Sequence, residues 1–481
     1  MAETFDPYQD TTYPQVQQAA YEGAAVGYRN SQKGLLTGEA DSLAARELLN
    51  LQMRSGHAIR NNGYAKTAAT KYVTSLGSIK VNWKDAKGKS HVAMQALWDE
   101  FASNPNLDGH GTLCSTQSIW HYEVFGKGNA FTRMIIKRDG NTNKVPLKLQ
   151  TIPSQLHNVF YMGKNSDNEI TRNGITFVDS KPSMYYFRKG IYEQQWYQVN
   201  NTFPQVEVPA NELLHLFVRE NAGQWLGIPN LASVLVPLYE LDELNDATIA
   251  KQKAAQAIAW IIENTNPLNM TPTGSPITVK DKDNNDKIVF KSSGGNTQYL
   301  NKGEKINFYQ STDIGANLPV LIKAELHRIC AAVGVPYHTL TGDTSGLDFS
   351  SIRAIGIELR HRLEYIHHFY TIPLGLEPLT SYFKELAKLY SNKVAGAIPT
   401  YQLPRFYGVD ELKDTQADLL EVQNGMSTLQ SKLDERHTTF EDIIADRVRI
   451  KEAGLDNLLV TQSPAANQIN NTEANSKTTG N

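Results

Sequence analysis

Imidazole and carboxylate side chains that could ligate a metal are concentrated in one stretch of the chain. His361 and His368 are separated by seven positions, with Glu364 and His367 between them. A helical metal site needs ligands three or four residues apart and outer groups that orient them. The seven-residue spacing puts His361 and His368 on one helical face. We therefore favour a hydrogen bond between Glu364 and His368 on a solvated face over a metal site.

Two carboxylates in the preceding polar stretch resemble a catalytic pair. Asp343 and Asp348 are both surrounded by glycine, threonine and serine. These residue types favour turns and helix caps, because their short side chains bond to the nearby backbone. We predict that both aspartates turn or cap the chain. The sequence thus predicts no catalytic residue, no metal ligand and no cofactor site.

The tripeptide Gly88-Lys89-Ser90 matches the end of a nucleotide-binding P-loop. That motif needs a second glycine five residues before Gly88, where the backbone curls around the phosphates. Trp83 stands at that position. We therefore predict a hairpin turn and no nucleotide site.

A helix, a polar loop and a second helix position the histidines and aspartates. Apolar residues recur at three- and four-residue steps from Leu318 to Val333, and Gly334 is expected to end this helix. The composition of residues 337–351 predicts an exposed polar loop. The helical period resumes from Ile352 to Tyr370 and should stop before Pro373. Three residues are candidate N-caps of this second helix: Asp348, Ser350 and Ser351.

Length and charge limit the class of protein. A chain of 481 residues is expected to form two or more structural units. Its 47 lysines and arginines against 50 acidic residues leave a formal charge of −3, whereas a protein that coats DNA is usually basic. A near-neutral balance suits a protein that surrounds DNA and lets it slide. It suits most cytosolic enzymes equally well.

Neither a disulfide nor a membrane segment is expected. Cys114 and Cys330 are far apart, and Cys330 lies on the apolar stripe of a predicted helix, so both are predicted to be buried thiols. The first twenty residues contain acidic side chains and no lysine or arginine, which disfavours a signal peptide. The longest mostly apolar run, residues 254–262, is far shorter than the roughly 20 residues that span a bilayer.

The order of helical and strand patterns predicts an α+β domain at the front of the chain. Residues 1–40 show no sustained period and are expected to form a flexible arm. Helices are predicted at 43–76, around Phe101 and at 116–125. The predicted strands are Ser78–Trp83, Ala130–Ile136, Val145–Ile152, Val159–Met162, Ser183–Arg188 and Leu213–Val218.

The second half of the chain is mostly helical. A stripe of apolar residues runs from Leu231 to Ile262 and predicts a helix reaching Glu263, with a kink or a new start at Pro237. Short strands are predicted at 277–280, 288–291 and 305–309. Further helices are predicted at 379–390, 411–425, 427–436 and 440–453, and a disordered tail at 461–481.

Five motifs follow one another in a distinctive order. The longest, from Ile329 to Ala354, reads ICAAVGVPYHTLTGDTSGLDFSSIRA. Upstream lie VPANELLHLF at 208–217 and GQWLGIPNLA at 223–232, with weaker matches at 60–65 and 146–150. Together these motifs, which cover roughly residues 45–450, resemble the lambda-type family of tailed-bacteriophage portal proteins. The chain departs from the family at Asn221 and Leu226, where arginines are expected.

The resemblance implies a portal-type α+β fold that assembles as a ring. An N-terminal arm at 1–40 would precede an α+β wing at 41–229. Two stem helices, at 230–263 and 318–335, would flank a small β-rich clip at 264–317. The remaining segments would be a tunnel loop at 336–352, wing helices at 353–410, a helical crown at 411–460 and a disordered tail at 461–481.

The resemblance also implies a function. About twelve copies would form a channel at one capsid vertex, through which a terminase motor packages genomic DNA and through which DNA leaves on ejection. The ring would also be the attachment point of the tail. The implied partners are double-stranded DNA, the terminase large subunit, the major capsid or scaffold protein and a head-tail adaptor, with no membrane. The protein would be assembled in the host cytoplasm and reside in the virion.

The resemblance places certain residues near the DNA channel. Closed symmetry repeats each charge around a channel, so single lysines become rings of positive charge. Cations on the stem helices would contact phosphate weakly, and the polar loop would act as a steric clamp. The channel residues expected on this basis are Lys251, Lys253, Lys323, Arg328, Thr341, Asp343, Thr344, Ser345, Asp348 and Arg353.

Two other functions remain open from the residues alone. One is a ring in a phage tail or baseplate that has no DNA channel. The other is a metal-dependent hydrolase that uses Asp343, Asp348 and the histidines. A hydrolase would act as a monomer or dimer, whereas a portal requires a ring with an opening wide enough for a duplex.

Overall fold

The computed structural model describes residues 40–137, 143–166, 168–189, 205–257, 318–404, 411–436, 438 and 440–454. Between residues 258 and 317 it describes only the backbone of four short strands. The predicted arm, apart from Ala40, and the predicted tail at 461–481 lie outside the described residues. Helices and antiparallel sheets share the described chain, which confirms the α+β class.

The first helical region is divided in two at Asn62. Helix α1 spans Ala40–Asn61 and helix α2 spans Gly63–Leu76, whereas the sequence predicts one helical region. The Oδ1 of Asn62 accepts a hydrogen bond from the N–H of Ala65 at 2.9 Å, and its Nδ2 donates to Asp242 at 2.8 Å. Because asparagine is a favoured N-cap, a new helix starts at this position.

The next four elements follow the predicted order. Strand β1 spans Lys80–Lys84, helix α3 Val92–Ser103, helix α4 Leu113–Lys127 and strand β2 Asn129–Ile136. After β1, the Oδ1 of Asp85 accepts from the N–H groups of Lys87 and Lys89 at 2.8 and 2.9 Å. Gly88-Lys89-Ser90 therefore lies in a tight turn, as predicted, and does not form a phosphate-binding loop.

Two antiparallel sheets complete the front half. Strand β3 spans Leu147–Ile152, strands β4 to β8 span Gly163–Ser166, Glu169–Arg172, Ile175–Val178, Lys181–Arg188 and Gln205–Pro209, and β9 spans Leu213–Phe217. Strands β3 and β9 pair with the two sides of β2, and β4 to β8 form a five-stranded meander.

The strand predicted at 159–162 is wrong. The N–H of Tyr161 donates to the carbonyl of Asn158 at 3.0 Å and closes a turn there.

Helix α5 spans Leu235–Ala257 and is shorter than predicted. At 1.5 Å per residue it is about 35 Å long. Pro237 lies in its first turn, so it opens the helix. The predicted continuation to Glu263 is wrong, because Ile261–Asn264 forms strand β10. Its two β-branched isoleucines suit a strand.

The segment after α5 contains two strand pairs among its described residues. Strands β11 and β12 span Ile277–Lys280 and Asp286–Val289 and pair with each other, while β13, Glu304–Asn307, pairs with β10. The three strands predicted here are confirmed to within two residues. The other residues between 258 and 317, which carry the rest of the predicted clip, lie outside the described residues.

The second half of the chain packs against the front half and pairs with it. The helices are α6 (Leu318–Val333), α7 (Tyr337–Thr341), α8 (Phe349–Ile366), a π-helix (His367–Leu376), α9 (Glu377–Tyr390), α10 (Glu411–Gln423), α11 (Leu429–Glu435) and α12 (Phe440–Glu452). Strand β14, Ile398–Gln402, pairs antiparallel with β1. This pairing joins the C-terminal third of the chain to its first strand.

Helix α8, the π-helix and α9 form one continuous rod, so the predicted stop before Pro373 is wrong. Pro373 lies inside the π-helix. In an α-helix a proline ring collides with the carbonyl four residues earlier, whereas a π-helix bonds over five residues and widens the turn. The N–H of Glu377 shows this spacing, because it donates to the carbonyl of Ile372.

The π-helix brings two buried faces into phase. Leu363 on α8 belongs to one apolar cluster, and Leu379 on α9 belongs to another. In a continuous α-helix the two would point about 160° apart. Ten π residues, each advancing roughly 80° instead of 100°, remove about half a turn. Both faces therefore pack on the same side of the rod.

Buried side chains hold the π-helix in place. The Nε2 of His367 contacts the carbonyl of Leu76 at 3.0 Å, and Thr371 contacts the Nε2 of His121 at 3.3 Å. Burial, and then the charge of His367, lowers the pKa of His121 to about 3, and burial lowers that of His367 to about 4. Both imidazoles are therefore neutral at pH 7. They act as packing and hydrogen-bonding groups.

Three apolar clusters stabilise the described chain. The first lies among β1, β2, β3, α3, α4 and α9, the second among α2, α5, α6 and α8, and the third under the meander. The first cluster contains an aromatic group whose ring centroids are 5.0–6.5 Å apart: Trp83, Trp98, Phe101 and Phe383.

Candidate functional site

The polar loop is shorter than predicted and is anchored at its start. Gly334, at a φ of +72°, ends α6, as predicted. Residues 337–341 then form α7 and not a loop, because Leu340 is buried against the second cluster. The exposed loop is therefore residues 342–348. Arg362 of α8 donates to the carbonyl of Val333 at 3.1 Å, which holds the second helix to the end of α6.

Loop 342–348 is hydrogen-bonded internally. The N–H of Asp343 donates to the Oγ1 of Thr341 at 3.2 Å, and Thr341 donates to the carbonyl of Tyr337 at 2.9 Å. The hydroxyl and the N–H of Ser345 both donate to Asp343. These bonds confirm the prediction that Asp343 turns the chain.

Asp348 is the N-cap of α8, which selects one of the three predicted candidates. Its Oδ1 accepts from the N–H of Ser351 at 2.8 Å, and its Oδ2 accepts from the hydroxyl of Ser350 at 2.9 Å. Hydrogen bonds from Ser351, and then from Ser350, lower the pKa of Asp348 to about 2. The carboxylate is therefore ionised at neutral pH.

We expect Asp348→Ala to destabilise the start of α8 and Asp348→Asn to preserve it, because asparagine caps a helix without titrating. The pKa of Asp348 is lower in the folded state than in the unfolded chain. Its carboxylate therefore stabilises the fold above about pH 4, and this contribution is lost as the pH falls towards about 2. Urea midpoints measured across this range should fall more steeply for the unsubstituted protein than for Asp348→Asn. Parallel curves would contradict this role.

Lys323 of α6, which is predicted to face DNA, is exposed and also lies over the ring of Tyr337. The Nζ of Lys323 lies 5.5 Å from the ring centroid of Tyr337. The ring of His327 stacks on Tyr337 with a centroid distance of 4.3 Å. Tyr337 and His327 were missed from the sequence. The four-residue spacing of Lys323 and His327 on one helical face, followed by an aromatic residue just after the helix, is the signal that could have found them.

Both predicted channel arginines have carboxylate partners. Arg328 donates to Glu325 at 3.2 Å within α6, and Arg353 donates to Asp414 of α10 at 2.9 Å. The second ion pair joins the first turn of α8 to the C-terminal helices. Such exposed pairs contribute little stability. They nevertheless direct these cations toward protein carboxylates in the subunit.

The other predicted channel residues lie on exposed surface. Lys251 and Lys253 are exposed near the end of α5, and Thr344 and Ser345 are exposed at the tip of the loop. Asp343, Thr344, Ser345 and Asp348 lie in this loop. Thr341 precedes it at the end of α7 and donates to the carbonyl of Tyr337, whose ring lies near Lys323.

The histidine stretch does not form a metal site within the described residues. His361 and His368 are exposed, whereas His367 is fully buried. Glu364 accepts from the Nε of Arg360 at 2.7 Å, in place of the predicted His368. Across the described part of the chain, no group of three or more His, Cys, Asp or Glu side chains could hold a metal ion.

The two cysteines differ in exposure. Cys330 is buried on α6, as predicted, but Cys114 is exposed. The prediction for Cys114 is wrong because this residue lies on the outward side of the first turn of α4. None of the described helices is long and apolar enough to cross a membrane.

The motif at 223–232 folds into a loop around the buried side chain of Gln224. Gln224 accepts from the N–H groups of Glu220 and Asn221 at 2.9 and 3.0 Å and donates to the carbonyl of Leu226 at 2.7 Å. Leu226 is fully buried in the third cluster. The departure from arginine at this position thus fits an apolar environment.

Comparison with known proteins tests the resemblance. The family model described as phage portal protein, lambda family, matches residues 28–367. The portal protein of Escherichia phage N15 is 19% identical over 484 residues, which cover 90% of this chain and 89% of the relative. The probable portal protein of Halomonas phage phiHAP-1 is 21% identical over 481 residues, covering 94% of this chain and 89% of the relative.

A solved structure is also similar. It is described as the neck of an empty GTA particle computed with C6 symmetry and matches with a TM-score of 0.48 at 14% identity, covering 81% of this chain and 92% of the other. The family model, by contrast, matches well over half of this sequence and includes the longest motif at 329–354. The predicted resemblance is therefore confirmed, and the chain belongs to the lambda family of phage portal proteins.

Proposed function

We propose that the protein forms the portal ring at one vertex of a phage capsid, through which DNA is packaged and later ejected. The observation that supports this function is the match of the lambda-family portal model to residues 28–367. About twelve copies would surround the channel. The ring would stand at the head-tail junction of the virion after assembly in the host cytoplasm.

Each part of the fold has a proposed place in this ring. We assign α1 to α4 and β1 to β9 to the wing, α5 and α6 to the stem, and β10 to β13 to the clip between them. Loop 342–348 would be the tunnel loop, the rod of α8 and α9 would return to the wing, and α10 to α12 would form the crown. The order of these elements along the chain supports the assignment.

The proposed contacts with DNA are weak and repeated. Lys251 and Lys253 are the stem cations that we assign to phosphate, since their ammonium groups are exposed near the end of α5. Thr344 and Ser345 at the loop tip would lie against the duplex. Ring symmetry would multiply each contact around the channel, and weak individual contacts would let the DNA slide.

The proposed partners follow from this position. A separate terminase would supply the motor, because the P-loop-like tripeptide at 88–90 is a turn. The major capsid or scaffold protein would contact the wing, and a head-tail adaptor would bind the clip.

The assembly itself tests the proposal. With 53.6 kDa per chain, twelve copies have a mass of about 640 kDa, which native mass spectrometry resolves from neighbouring ring sizes. Negative-stain imaging should show a ring with an opening of roughly 20 Å, the width of a duplex. A ring too narrow for DNA would favour a tail or baseplate component. A monomer or dimer with metal-dependent hydrolysis would contradict the portal function.

A further inference from the structure

Helices α5 and α6 each have one buried face and one exposed face. Leu238 and Leu241 of α5 pack in the second apolar cluster, and so do Leu326 and Ile329 of α6. At 100° per residue, the exposed residues of each helix are centred roughly half a turn from these buried ones. A stripe on each helix therefore points away from the cluster, toward solvent.

The exposed stripe of α5 is acidic. The following residues form this acidic stripe, within about 120° of the helix circumference: Val236, Tyr239, Glu240, Glu243, Asp246, Ala247 and Ala250. Val236 and Tyr239 are 64% and 63% exposed. No lysine or arginine occurs between residues 235 and 250. Within the described residues, none of the three carboxylates has an ion-pair partner.

The exposed stripe of α6 is basic. The following residues form this basic stripe, again within about 120°: Val320, Leu321, Ala324, His327, Arg328 and Ala331. Val320 and Leu321 are 66% and 49% exposed. Arg328 donates to Glu325 one turn earlier at 3.2 Å. Such an exposed pair is weak, and a guanidinium has five N–H donors, so Arg328 can engage a further carboxylate.

The two helices run antiparallel within one subunit. The Nδ2 of Asn230, just before α5, donates to the carbonyl of Val333 at the end of α6 at 3.1 Å. At the other end, strand β10 after α5 pairs with strand β13 before α6. In a ring of about twelve copies, each copy is rotated by only about 30° from the next. Helix α5 of one copy and α6 of its neighbour would therefore also run nearly antiparallel.

The two stripes are complementary in size and in charge when they are placed antiparallel. With Tyr239 opposite Ala331, the equal rise of both helices puts Glu243 opposite His327 and Arg328. The same register puts Ala250 opposite Val320. Each large apolar side chain thus meets an alanine, which lets two helices approach to the usual 8–10 Å, and a carboxylate meets two cationic or donor groups.

We propose that the acidic stripe of α5 binds the basic stripe of α6 in an adjacent copy of this chain. Because the two surfaces differ, the contact is heterologous and each copy uses both stripes, one toward each neighbour. The closure of these contacts into a ring rests on the proposed portal function. Arg328, which the resemblance places near DNA, would lie between copies instead.

Reversing the charge of one stripe tests the contact. Glu240→Lys/Glu243→Lys makes both stripes basic, and His327→Glu/Arg328→Glu makes both acidic. Either double variant should weaken association by at least about tenfold at physiological salt, because like charges then face each other at every contact. Native mass spectrometry and sedimentation velocity measure the loss. All substituted residues are exposed, so urea midpoints should stay close to that of the unsubstituted protein.

Mixing the two double variants separates a broken contact from a damaged fold. Opposite charges face each other at every contact only when the two variants alternate. An equal mixture, with one variant labelled with ¹⁵N, should therefore regain assemblies that contain both variants in equal number. A misfolded variant would not be rescued by its partner. Absence of mixed assemblies would overturn the proposed contact.

Lys323→Glu is the matched control, because it reverses a cation of the same helix that lies outside the basic stripe, 5.5 Å from the ring centroid of Tyr337. It should assemble like the unsubstituted protein. Double variants that also assemble normally would overturn the contact. If His327→Glu/Arg328→Glu assembled normally but bound duplex DNA more weakly, the basic stripe would face DNA and not a neighbouring copy.

The outcomes for the contact and for the portal function are distinct. Rings with an opening for a duplex that survive both reversals would support the portal function and overturn the contact. Open chains or narrow rings that are lost on reversal would support the contact and contradict the portal function. An unsubstituted protein that stays monomeric in concentrated solution would overturn both.

Discussion

Phe383→Ala should lower the free energy of unfolding by about 3–5 kcal/mol, the range found for truncating a buried phenylalanine. The Phe383 side chain is fully buried, and its ring lies 5.0 Å from Trp98, 5.1 Å from Phe101 and 6.5 Å from Trp83. It packs α9 against α3 and β1. The substitution therefore opens a cavity at the contact between the C-terminal third of the chain and the front elements α3 and β1.

Tyr390→Ala on the same helix is the control. Tyr390 is 53% exposed, so its truncation should change stability by no more than about 0.5 kcal/mol. Urea unfolding followed by tryptophan fluorescence is the appropriate measurement, because Trp83 and Trp98 report on the cavity itself. Equal midpoints for the two variants would show that the aromatic group does not stabilise this contact.

Gly128→Ala should be the second severe substitution, with a loss of about 3 kcal/mol or more. Gly128 ends α4 at a φ of +84°, and a Cβ there would overlap the backbone carbonyl of Gly227. The same carbonyl accepts from the Nδ2 of Asn129 at 3.0 Å, and the N–H of Gly227 donates back to Asn129 at 2.8 Å. Moving Gly227 to relieve the overlap would break both bonds.

Gly88→Ala separates backbone strain from overlap. Gly88 has a similar φ of +80° but no atom within 4 Å of the added Cβ, so only the left-handed conformation is penalised, by about 1–2 kcal/mol. Thermal and urea unfolding of both variants should place Gly128→Ala clearly below Gly88→Ala. Equal losses would mean that the contact with Gly227 is not tight.

Local chemistry made several parts of the fold predictable. Gly334 ends α6 because it adopts a left-handed conformation that other residues avoid. Asp348 caps α8 because its carboxylate reaches the N–H of Ser351. Each of these features depends on neighbours within a few positions, which a single sequence contains.

Features that depend on distant partners were not predictable in this way. Strand β10 replaces the end of a predicted helix because it pairs with a strand about forty residues later. Pro373 does not end the rod, because the residues around it form a π-helix. This π-helix turns the buried faces of α8 and α9 toward their two apolar clusters. A helical period in the sequence indicates neither the strand that pairs with β10 nor the clusters against which the rod packs.

The candidate site shows the same limit. The sequence contains the charges of Lys323, Arg328 and Arg353 but not the groups they face. Each is directed toward protein: to Tyr337, Glu325 and Asp414 respectively. The loop composition did predict the turn at Asp343, because serine and glycine neighbours act locally.

The π-helix also limits how the gene for this protein can vary. One residue inserted or deleted between Leu363 and Leu379 would rotate one apolar face relative to the other, by about 80° within the π-helix or about 100° in the flanking α-helices. A change in the length of this segment would therefore turn either Leu363 or Leu379 away from its apolar cluster.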